Sequence, residues 1–260
     1  MEPIRNSWIS LVDLDERHYA PGVLQPAHRH DFASVTLLVR GTLAEASEGR
    51  REEASALSVV VKPPGVAHET HFGSAEASTV RLVVAPRAFT ASPVLRAALG
   101  EWRWIHGGPA ASGLLGLLVA RRNGRLSRTA FRTGVSRVIA AVAAERRNPA
   151  APAPAWLCEA REAIERGSSG SVRTAALSRR ARVHPVYLAR TFRRHYGCSV
   201  GALIRRRRVI AAARLVADSG ATLVDIAYEA GFSDQAHFCR EFRLLAGTTP
   251  LAFRRLAHAG

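Results

Sequence analysis

The chain is 260 residues long, 47% hydrophobic, and carries 37 basic against 21 acidic side chains, for a formal net charge of +16. That length accommodates two domains, and the charge favours a polyanionic partner. Three widely spaced cysteines with no CxxC pair exclude a zinc knuckle or a disulfide framework; with no apolar run near ~18 residues and no signal-peptide pattern, the expectation is a cytoplasmic protein without a membrane partner.

Residues 1–87 read as short strands. The β-branched runs at 35–39, 57–61 and 79–84 are bounded by Gly and Pro, and Pro63-Pro64-Gly65 forms a tight turn between two of them. Many short strands pack naturally as a closed antiparallel barrel or a jelly roll. After Pro86 the period changes. Val94, Leu95, Ala98 and Leu99, then Leu114, Leu115, Leu117 and Leu118, then Val135, Val138, Ile139 and Val142 recur at helical spacing. Residues 88–148 are therefore expected to be a helical segment that covers the barrel or forms a dimer interface. The Pro-rich stretch 149–154 cannot sustain a helix and reads as a linker. The fold class that follows is α+β: an N-terminal barrel, a helical connector, and an all-α domain over 155–260.

That last domain contains one pattern twice. Leu188, Phe192 and Gly197 lie 50 residues before Phe238, Phe242 and Gly247, whereas Leu177 lies 49 before Ile226, so the second turn is one residue longer. Each copy is a short amphipathic helix, a turn and a second amphipathic helix, the plan of a helix-turn-helix. A helix of about 20 residues, 200–219, joins them, and Thr222 with Asp225 makes a start signal for the helix that follows. From Glu159 onward there are 18 Arg against 8 acidic residues, so the basic excess is densest here, where phosphate neutralisation requires it. Composition bias accounts for part of the total charge, since Lys62 is the only Lys.

The second helix of such a unit enters the major groove, and its outward N-terminal residues meet base edges. These are Val186, Ala189, Arg190 and Arg193 in the first copy, and Ser233, Gln235, His237 and Arg240 in the second, with Asp234 as a helix cap. Arg suits guanine, Gln suits adenine, and Val meets only a thymine methyl. The run Arg205–Arg208 points in four directions on the joining helix. One or two of its members can reach phosphate, while the others pair with Glu or lay their stems on apolar surface.

These residues resemble the AraC/XylS transcription regulators over about 155–258. The closest part is Ile226-Ala227, Gly231-Phe232-Ser233-Asp234-Gln235, Phe238, Phe242, Gly247-Thr-Thr-Pro250 and Phe253-Arg254. The resemblance implies a seven-helix domain, double-stranded DNA as partner, and activation more than repression, which adds RNA polymerase to the expected partners. Arg173, Ser178 and Val200 depart from the family pattern in the first copy.

In the N-terminal half, Gly22-x5-His28-Arg29-His30, Gly41 and Pro63-Pro64-Gly65-Val66-Ala67-His68 resemble the two cupin motifs. The resemblance implies that His28, His30 and His68 meet. Three neutral imidazoles can hold a divalent metal, but the carboxylate of the motif is missing and its position is Ser34. A vestigial turn and the polar corner of an effector pocket are the competing readings, and no other cofactor is expected. The whole reads as a homodimeric DNA-binding transcription regulator with an unidentified small-molecule effector, and not as an enzyme. The rivals are a cupin metal enzyme with a DNA-binding tail, which lacks its carboxylate, and an architectural DNA binder, which leaves the barrel without a role.

Overall fold

A computed structural model describes residues 7–145, 153–166 and 174–259. A 3-10 turn at Ser7–Leu11 leads into eight strands: β1 (Val12–Tyr19), β2 (Leu24–His28), β3 (Ala33–Arg40), β4 (Thr42–Ser47), β5 (Arg50–Ser55), β6 (Ser58–Lys62), β7 (His68–Phe72) and β8 (Ala77–Val84). Helices α1 (Pro86–Ala91) and α2 (Pro93–Leu99) precede a ninth strand, β9 (Arg103–His106). Helices α3 (Pro109–Arg122) and α4 (Arg128–Ala144) follow it. The expected helical segment thus also supplies an edge strand.

The strands form two antiparallel sheets, ordered β1-β8-β3-β6-β9 and β2-β7-β4-β5. They face each other around Leu38, Leu43, Ala54, Phe72 and Ala77, in a cupin-like sandwich that does not close into a continuous barrel. The first sheet is covered on its other face by helices. Val35, Leu37 and Val39 of β3, Val59 and Val61 of β6, and Val80 and Leu82 of β8 pack there, in one core with α2, α3 and α4. Burial on both faces is why these strands read as unbroken apolar runs. Each such side chain contributes about 1.5–3 kcal/mol of transfer free energy. β4 alternates instead: Leu43, Glu45 and Ser47 point into the space between the sheets.

Seven helices make up the C-terminal part among the described residues: α5 (Ala155–Arg166), α6 (Thr174–Arg180), α7 (Pro185–Tyr196), α8 (Val200–Asp218), α9 (Leu223–Glu229), α10 (Gln235–Ala246) and α11 (Pro250–His258). Two cores divide them. Leu157, Ile164, Leu177, Leu188, Phe192 and Val200 form a small one under the first helix-turn-helix. Val209, Ala213, Val216, Ile226, Phe238, Phe242 and Phe253 form the other, which is continuous with the helical face of the first sheet. The second helix-turn-helix is therefore fused to the N-terminal half, and α8 bridges both cores. Of the expected linker, residues 149–152 lie outside the described residues. Residues 153 and 154 lead into α5, where Leu157 N–H donates to the Pro154 carbonyl at 2.8 Å.

The arginine run on α8 goes mostly to protein. Arg205 pairs with Glu241 at 3.4 Å, Arg206 pairs with Glu145 at 3.6 Å, and Arg207 donates to the Glu165 carbonyl.

Candidate nucleic-acid interface

Both copies use the same local devices. The α7 start is capped by His184, whose ring accepts from Val186 N–H at 3.3 Å, and the α10 start by Asp234, which accepts from His237 N–H at 2.7 Å. That backbone hydrogen bond and the Ser233 hydroxyl hold the Asp234 carboxyl below its ordinary range. Both helices end on a left-handed glycine, Gly197 at φ 69° and Gly247 at φ 71°. Thr222 caps α9 through Asp225 N–H at 3.2 Å and donates its hydroxyl to the Asp225 carboxylate at 2.6 Å.

The turns explain the change of offset. Val183 N–H donates to the Ser178 carbonyl, as Phe232 N–H does to that of Ala227, so the copies run 49 residues apart up to this point. The caps His184 and Asp234 run 50 apart, which makes Ser233 the extra residue. Its hydroxyl donates to Asp234 at 2.9 Å and lies 3.2 Å from His237 Nδ1.

The left-handed turn position is Gly231 in the second copy (φ 81°) and Arg182 in the first (φ 52°). A side chain there costs about 1–2 kcal/mol, of which the extra unfolded-state freedom of glycine takes back about 0.5–1 kcal/mol. Arg182→Gly is therefore expected to stabilise the first subdomain by roughly 0.5–1 kcal/mol, read by urea unfolding. An unchanged or lower midpoint would mean that this turn is unstrained.

At 100° per residue, Val186 and Arg190 lie on the side of α7 opposite the buried Leu188, and Arg193 lies beside them; all three are exposed. Ala189 sits at the flank of this face. On α10 the corresponding residues about the buried Phe238 are Ala236, Arg240 and Arg243, also exposed. Gln235 is exposed at the helix start. Ser233 is exposed, and it and His237 touch each other through the Ser233 hydroxyl and His237 Nδ1. His237 is half-buried, lies 3.8 Å from Glu241, and packs edge-on to Phe232. The sequence reading passed over Ala236 and Arg243, which the 50-residue offset from Val186 and Arg193 would have found.

The three histidines do meet. One ring nitrogen from each of His28, His30 and His68 lies within 4.8 Å of the others. His28 Nδ1 lies 2.7 Å from the Pro26 carbonyl and His68 Nδ1 lies 3.3 Å from that of Val66. Both contacts favour a proton on Nδ1 and leave Nε2 free to ligate. Burial, with Lys62 nearby, pushes His68 down to about 4; burial, with His28 and Lys62 nearby, also lowers His30. Both are neutral at pH 7, as metal ligands must be.

Ser34, at the position of the missing carboxylate, faces Lys62 across the β3–β6 register. A different carboxylate enters from β4. Glu45 is 1% exposed, pairs with Lys62 Nζ at 2.5 Å, and accepts from the Thr70 hydroxyl at 3.1 Å and the Trp102 indole at 2.8 Å. The alternation of β4 placed Glu45 inward, so this group was available to a sequence reading that looked only at the motif.

Residues 177–256 match the model of a family described as a helix-turn-helix domain. The matched stretch takes in both helix-turn-helix units, from α6 to α11. Its relatives include the probable transcription factor PqrA of Proteus vulgaris, 40% identical over 68 residues, which are 26% of this chain and 56% of that protein. The transcriptional regulator GlxA of Rhizobium meliloti is 40% identical over 80 residues, 31% of this chain and 25% of that protein. The chain thus spans about half of the first relative and a quarter of the second. Among solved structures, ToxT from Vibrio cholerae O395 aligns over 96% of this chain and 100% of its own, at 11% identity and a TM-score of 0.39. Among the described residues, no helix is long and apolar enough to cross a membrane.

Proposed function

We propose that this protein is a sequence-specific, DNA-binding transcription regulator of the cytoplasm, in which the AraC-type domain reads DNA and the N-terminal half senses an effector and dimerises. The observation that carries this reading is the repetition of one exposed face on two buried helix cores, each with an arginine directly opposite the core: Arg190 and Arg240. Activation is the preferred direction, with RNA polymerase as a further partner. Among the relatives, VirF of Yersinia enterocolitica and AarP of Providencia stuartii are named as transcriptional activators.

Arg190→Ala and Arg240→Ala should each weaken binding to the cognate site by roughly 1–3 kcal/mol while leaving random DNA nearly unaffected. The cognate site is first obtained by selection from a random pool. Equal losses on both DNAs would assign these arginines to phosphate and remove the case for base reading.

The histidine cluster supports a divalent metal as effector or as part of the effector site. His28, His30 and His68 would hold it, and the metal would supply a Lewis-acidic point for a further ligand. Dialysis against Zn(II) or Ni(II) should leave about one metal per chain, lost in His68→Ala. Wild-type chain that takes up no metal would leave the cluster as the polar corner of an organic effector's pocket.

A further inference from the structure

We propose that β9 couples the site between the two sheets to the second reading helix, so that occupancy of that site changes how the N-terminal half holds α8 and α10. The proposal rests on the sensor reading above and assigns it a physical route.

β9 is short and lies at the edge of its sheet, hydrogen-bonded on one side only, to β6. Alternation gives its two faces separate tasks. On the inward side, Trp102 donates its indole N–H to Glu45, the carboxylate that also holds Lys62. Trp104 packs in the cluster between the sheets, and His106 lies 3.0 Å from the Ser58 hydroxyl and 3.4 Å from Glu52. On the other side, Arg103 ties the strand to the Ala98 and Val142 carbonyls of the helical layer.

The far end of β9 meets the DNA-reading part. The carbonyls of His106 and Gly107 both accept from Arg206 of α8. Gly107 has φ 68° and lies so close to Leu245 of α10 that a Cβ would come within 2.7 Å of the leucine methyl. Two residues on, Gly247 at the end of α10 packs on Ser112 of α3, the helix that β9 feeds, where a Cβ would come within 2.9 Å of the serine Cβ.

Strand β9 runs roughly 10 Å from Arg103 to His106 at ~3.3 Å per residue, with Trp102 directly before it and Gly107 directly after it. A single stiff element therefore runs from the inter-sheet carboxylate to the reading helix. An edge strand with one hydrogen-bonded side moves more cheaply than a central one, while a packed interface responds in discrete steps. Any ligand that draws Glu45 or its neighbours to itself alters the partner of Trp102, and the displacement reaches Arg206 and Leu245 along the strand.

Trp102 is a positioning residue in this scheme, and the test is a mutational cycle on the full-length chain read by hydrogen exchange. Glu45→Gln mimics a change at the inter-sheet site. It should raise exchange at residues 103–108 and in the C-terminal half of α10, and shift affinity for selected DNA about fivefold or more. In a Trp102→Phe background, the same substitution should still loosen β4 and β7 but no longer reach α10. Exchange confined to β4, β6 and β7, or an α10 response that survives Trp102→Phe, would overturn the proposal. Should Glu45→Gln fail to fold, Thr70→Val, which removes one donor to Glu45, makes the same comparison. The exchange measurement needs no DNA. A wild-type chain that bound none would therefore count against the regulator reading, while the route along β9 was still decided.

Discussion

Glu45→Ala is expected to cost about 3–5 kcal/mol of folding stability, because it leaves the Lys62 ammonium buried without its counter-charge. Glu45 is 1% exposed and the Lys62 side chain 15%, so water cannot replace the lost partner without opening the sandwich. Burial already pushes Lys62 below the ordinary lysine range, and the Glu45 carboxylate opposes that shift. The substitution also strips the Trp102 indole and the Thr70 hydroxyl of their acceptor, and each buried donor left unmade costs about 1–3 kcal/mol. A domain's whole stability is about 5–15 kcal/mol, so unfolding in urea should shift to a far lower midpoint. The paired change Glu45→Met with Lys62→Met separates charge from packing. It removes both charges at similar volume and should recover the part of the loss that the unpaired ammonium causes, leaving the cost of the two unmet donors. A single-variant loss below about 1 kcal/mol would mean that the pair is solvated and is not a structural anchor between the sheets.

The ion pair was legible in part: the alternation of β4 turns Glu45 inward, but no pattern in the sequence pairs it with Lys62. The strands β3, β6 and β8 announce themselves because β-branched residues fill both faces, and the paired helix-turn-helix announces itself because a fixed offset repeats core, turn and cap. Meeting of the three histidines was legible from the i, i+2 spacing of His28 and His30 and from the cupin-like turn before His68. β9 was not legible. Its four residues, Arg103-Trp104-Ile105-His106, sit between helical segments and carry no periodicity long enough to separate strand from helix. Its pairing with β6 is a tertiary fact.

The fusion of the second helix-turn-helix to the N-terminal half was hidden for a similar reason. The proline-rich segment suggests separation, whereas the contacts that join the halves are made by residues whose types say nothing of their partners. Arg122 donates to the Leu256 carbonyl at 2.8 Å, Gly107 meets Leu245, and Arg206 meets two strand-end carbonyls. Arginine in a basic chain reads as a phosphate ligand until the fold shows which carbonyl or carboxylate faces it. At the reading helices the sequence identified the outward arginines. It did not show the cap network that joins Ser233, Asp234 and His237, which depends on the one-residue insertion at Ser233.

Inserting five base pairs between the two DNA boxes should reduce binding towards the non-specific level, which for specific DNA binders lies about 10³–10⁷-fold lower. α8 has 19 residues and is about 28 Å long at 1.5 Å per residue, and it is buried in a core at each end. The two reading helices are thereby held at a fixed separation, and adjacent major-groove faces on one side of a duplex recur every ~34–36 Å. Because the set Val186, Ala189 and Arg190 differs from the set Gln235, His237 and Arg240, the two boxes should differ in sequence, and one chain's site should lack internal symmetry. A half-turn insertion carries one box to the opposite side of the duplex, where α8 would have to cross the DNA to follow it. A ten-base-pair insertion restores the face but adds about 34 Å, more than the whole length of α8, so it should not rescue binding either. That second insertion distinguishes two helices of one chain from two chains of a dimer joined by a yielding linker, which would recover. Undiminished affinity after the five-base-pair insertion would mean that one helix-turn-helix reads sequence alone. The second is then the one to assign, since it has the carboxylate cap, the unstrained glycine turn and the larger core behind its reading helix.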